Sequence, residues 1–70
     1  MNKSQMKTEI VIEIEASAAD VIKVVAILKG WNLSVEGWTE GGKRGVAIVT
    51  SFDAASNALG LVEEAISYLK

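Results

Sequence analysis

The segment Thr8–Glu15, TEIVIEIE, constrains the fold more tightly than any other stretch of the chain. Its side chains alternate with a period of two, which is the repeat of an extended strand and not of a helix. Ile10, Ile12 and Ile14 fall on one face. Glu9, Val11, Glu13 and Glu15 fall on the other. A strand with one apolar and one acidic face belongs to a sheet that is covered on a single side.

The rest of the chain supplies the cover. In ASAADVIKVVAILKG, Ser17 and Asp20 have the spacing of a helix capping box, and Gly30 stands where a helix is expected to stop. Val21, Val24, Val25 and Leu28 form an apolar stripe, widened by Ile22, while Ile27 falls near Lys23 and Asp20 on the opposite side. WNLSVEGWTE alternates again, with Trp31, Leu33 and Val35 on one side and Ser34, Glu36 and Trp38 on the other. The glycines of EGGKRG suit a turn that needs positive φ. GVAIVTSF is then the returning strand of a hairpin, with Val46, Ile48 and Phe52 inward and Ala47 and Val49 outward. Asp53 is expected to cap a last helix that buries Ala55, Ala58, Leu59, Val62, Ala65, Ile66 and Leu69, with Ser56, Gly60, Glu63 and Ser67 on its wet side.

The expected order is therefore strand, helix, strand, strand, helix. A crossover helix makes the first two strands parallel, and the hairpin makes the third antiparallel to the second. Slotting the third between the others gives an α+β, two-layer βαββα sandwich, with sheet order 1-3-2 and both helices on one face. Residues 1–7 read as a loose N-terminal arm and residues 8–70 as one α/β domain.

Seventy residues allow one small core, and a core of that size often needs a metal, disulfides or a partner. There is no cysteine and no histidine, so disulfides, thiolate zinc sites and the usual acid–base residue are all excluded. No catalytic residue, cofactor or metal ligand set is expected, and the chain reads as a non-enzyme. Oligomerisation is the remaining stabiliser, and a homodimer is expected. No apolar run suits a membrane span or a signal peptide, so the expected location is cytoplasmic. The formal net charge of −2 argues against nucleic acid, which needs clustered cations.

The arrangement resembles a ferredoxin-like fold that lacks its fourth strand, and two families of that kind share features with it. Arg44-Gly45-Val46-Ala47-Ile48-Val49-Thr50-Ser51 is similar to the octamer of the RNA-recognition motif at Arg44, Gly45, Ala47 and Val49. That resemblance implies single-stranded RNA binding, but Val46 and Ile48 stand where such domains stack bases on aromatics. The stretch LKGWNLSV, followed by a glycine-rich hairpin, resembles the entry to the second strand of ACT domains. That resemblance implies a small-molecule-sensing dimer. Ala16, Ser17, Ala18 and Ala19 replace the family's usual start to the first helix, so no ligand site carries over.

The polar residues favour a third reading. Glu9, Glu13, Glu15 and Glu36 would make the uncovered sheet face acidic, with Val11, Trp38 and Val49 as an apolar centre. Such a face fits a protein-binding module, a small regulator or inhibitor whose partner is basic. Lys43 and Arg44, at the hairpin, are candidate contacts for an anion, for RNA or for a partner. An ordinary solvated face and a flexible hairpin tip are the structural alternatives.

Overall fold

A computed structural model describes residues 7–51 and 53–69. Residues 1–6, Phe52 and Lys70 lie outside the described residues, and with them most of the expected N-terminal arm and the inward placement of Phe52. The elements are β1 (Lys7–Glu13), α1 (Ala18–Gly30), β2 (Ser34–Glu40), β3 (Lys43–Ser51), a 3-10 turn (Ala55–Asn57) and α2 (Ala58–Ser67). The sheet order is β1-β3-β2, with both outer strands antiparallel to β3. This is the βαββα order expected from the sequence.

The alternation in β1 sets the faces of the whole sheet. Ile10 lies opposite Ile48, which lies opposite Val35; Ile12 lies opposite Val46 and Gly37. Those rows point to the helices. Val46 and Ile48, on the central strand, are fully buried together with Val24 and Leu28 of α1. Burying a side chain of this kind stabilises a fold by roughly 1.5–3 kcal/mol. Ile14, Val21, Val35, Ala58, Val62 and Ala65 complete the same cluster.

Helix α1 begins as its sequence suggests. The Ser17 hydroxyl accepts the Asp20 amide at 3.1 Å, with Ser17 in an extended conformation (φ −70°, ψ 161°). Its end differs. Gly30 is the last helical residue, and Asn32 takes the left-handed position (φ 68°). The Leu33 amide bonds back to the Leu28 carbonyl at 3.1 Å, and the Asn32 amide to the Lys29 carbonyl at 3.0 Å. This pair of bonds is the Schellman arrangement, with asparagine where glycine is commoner. Around the helix, Val21, Val24 and Leu28 are buried. Ile22 is 69% exposed, whereas Ile27 packs against the core, the reverse of the expected assignment.

The start of α2 also departs from expectation. Asp53 lies in a turn and does not cap the helix. The Ser51 hydroxyl instead accepts the Ala54 amide at 3.2 Å, and a 3-10 turn intervenes before Ala58. The buried line of α2 runs through Ala58, Val62 and Ala65, and Leu59 falls off it, 55% exposed. Helix α2 packs more closely on α1 than on any strand. Trp31 and Tyr68 join the ends of the two helices edge to face, 6.2 Å between ring centres.

Candidate functional site

Among the described residues, the face of the sheet away from the helices is uncovered, and it is built in three cross-strand rows. They are Glu9–Val49–Ser34, Val11–Ala47–Glu36 and Glu13–Gly45–Trp38. Six of the expected partner-binding residues therefore share one surface: Glu9, Val11, Glu13, Glu36, Trp38 and Val49. Neighbouring strands lie about 4.8 Å apart, so Glu13 and Trp38 stand about 10 Å from each other across β3. Val11 is 61% exposed and Val49 37%. With Ala47 and the indole of Trp38 they form an apolar strip between carboxylates. Glu15 lies beyond the end of β1 and lines a different groove, toward α2.

Trp38 is held by a feature its neighbours create. Its cross-strand partner is Gly45, and its indole N–H donates to the Val46 carbonyl at 3.2 Å. A side chain at Gly45 is sterically forbidden, because its first carbon would lie 1.9 Å from the Ile12 carbonyl oxygen and 2.9 Å from Glu13 Cα. The bare backbone at Gly45 lets β1 come close, and the indole bond fixes Trp38 against β3. The ring remains half-buried and walls a shallow groove of about 400 Å³ with Val11, Thr39, Glu40 and Ala47.

The two hairpin cations separate. Lys43 is exposed on the open face opposite Glu40 in register. Arg44 points to the helix side, half-buried, and Nη1 donates to the Ala16 carbonyl at 2.8 Å. The Arg44 carbonyl accepts the Ile14 amide at 2.8 Å, so one residue ties both the end of β1 and the loop before α1. Its Nε is buried without a bonding partner among the described residues. The inward turn of Arg44 was accessible from parity, since it shares the phase of Val46 and Ile48.

Val46 and Ile48, the places of base stacking in the RNA-recognition motif, have no exposed surface. Among the described residues no group of three or more acidic side chains could hold a metal ion. Nor, among them, is any helix long and apolar enough to cross a membrane. No family model, curated protein or solved structure matches the chain.

Proposed function

We propose that the chain is a non-enzymatic interaction module that binds a basic protein through the open face of its sheet. The observation that carries this reading is the alignment of Glu9, Glu13 and Glu36 around the exposed Val11, Val49 and the fixed ring of Trp38. Charge of one sign steers an oppositely charged partner into contact, and an aromatic held in a defined position anchors it. A regulator or inhibitor that masks a cationic surface on its partner fits this design. The reading includes a homodimer, supported by the small core and by the outer edges of β1 and β2, which have no strand partner among the described residues.

Capture of binding proteins by immobilised chain tests the reading, with wild type compared against Glu36→Lys and Trp38→Ala. A basic protein should be retained by wild type at low salt, and lost in high salt and with either variant. Retention that survives both salt and the two substitutions would refute it.

A further inference from the structure

The β1 edge is the unfinished flank of the molecule. Ile10 and Ile12, on its inward side, are only half-buried, while Val46 and Ile48 beside them are fully buried. Because α2 leans on α1, a groove of about 500 Å³ remains between Ile12 and Ile14 on one wall and Leu59, Val62 and Ile66 on the other, apolar along its floor and bordered by Glu13, Glu15 and Glu63. The bond from the Ile14 amide to Arg44 fixes the phase of the β1–β3 ladder. By alternation, the amides and carbonyls of Lys7, Glu9, Val11 and Glu13 point away from β3.

We infer that this edge pairs antiparallel with the same edge of a second copy, about a two-fold axis through Ile10, to form one six-stranded sheet. The register follows from the phase and the charges. A symmetric strand pair must set outward-pointing residues opposite one another, which leaves axes through Glu9, Ile10 or Val11 as those with substantial overlap. An axis through Glu9 sets that carboxylate against its own copy. An axis through Val11 sets Glu9 against Glu13 twice. The axis through Ile10 sets Lys7 against Glu13 twice, Glu9 against Val11 twice and Ile10 against itself. It also aligns all seven residues of β1, whose midpoint is Ile10. Cross-strand neighbours stand about 5 Å apart, so opposite charges attract and like charges repel at this distance. Full overlap and charge complementarity thus select one register, and the half-buried Ile10 side chains meet at its centre.

The inference rests on the homodimer in the proposed function and not on the basic partner. It is tested on the full chain alone by sedimentation equilibrium. Wild type should dimerise. Lys7→Glu and Glu13→Lys should each weaken the dimer roughly tenfold, since each places like charges in two symmetric pairs. The double exchange Lys7→Glu/Glu13→Lys should restore it to within about threefold of wild type, as the opposite pairing predicts. Val11→Pro removes an outward amide without breaking the ladder to β3, and should abolish the dimer while the circular dichroism stays that of the folded chain. A wild-type monomer at every concentration measured, a dimer indifferent to Val11→Pro, or a double exchange that fails to rescue would overturn it. The capture experiment reads Glu36 and Trp38 on β2, the strand farthest from this seam, so the two failures are distinguishable.

Discussion

Gly45 shows how much one position can decide. It is buried between β1 and β2, and an added carbon would collide with backbone, which cannot rotate away. Gly45→Ala should therefore destabilise the fold by about 3 kcal/mol, at the upper end of overpacking costs. Urea denaturation reads this as a lower midpoint. Arg44 acts at the same scale. Arg44→Met keeps the aliphatic stem and removes the bond to Ala16, and should cost roughly 1.5–3 kcal/mol, the range for hydrogen bonds with a charged partner. If Arg44 were only a tip residue, the same denaturation curve would barely move. The Ala16 contact was hidden in the sequence because it joins residues 28 positions apart. Parity shows that Arg44 turns inward; only the folded path of the β1–α1 loop shows what it meets.

At the scale of elements, the strands were readable and the helices less so. A period of two leaves each strand residue with only two directions, and one row of isoleucines is enough to choose between them. The faces of β1, β2 and β3 followed from that choice. A helix offers a continuous range of rotation, and the arc it buries depends on how it tilts against its neighbours. Ile22 and Ile27 exchanged places for this reason, and Leu59 falls outside the arc that α2 buries. Gly60 tests the local account of α2. It lies within the helix, and a methyl group there would meet nothing within 4 Å. Gly60→Ala should raise stability by roughly 0.5–1 kcal/mol through reduced backbone entropy of the unfolded chain. Thermal denaturation of the variant would show a higher midpoint.

The whole molecule is a slab only 15 Å through its thinnest direction, as one sheet with one layer of helices requires. Among the described residues nothing covers the other side of that sheet, so the buried core they form is small. If β1 joins its copy, part of the missing burial comes from association, and folding is linked to concentration. The melting temperature should then rise as protein concentration rises, which calorimetry at several dilutions can follow. A melting temperature independent of dilution would mean that the monomer supports the fold unaided. The candidate face itself was legible in outline, because its carboxylates lie in the strand alternation. Glu15 was not, since it falls past the point where β1 ends and the period no longer applies.

The two tryptophans lie in separate parts of the molecule. Trp31 leans on Tyr68 at the helix ends, and Trp38 is pinned over the central strand by its bond to Val46. The chain thus carries a built-in optical reporter on the proposed binding surface. In a Trp31→Phe variant, emission excited at wavelengths that Tyr68 does not absorb would come from Trp38 alone, so a blue shift would signal occupancy of that surface without any attached dye.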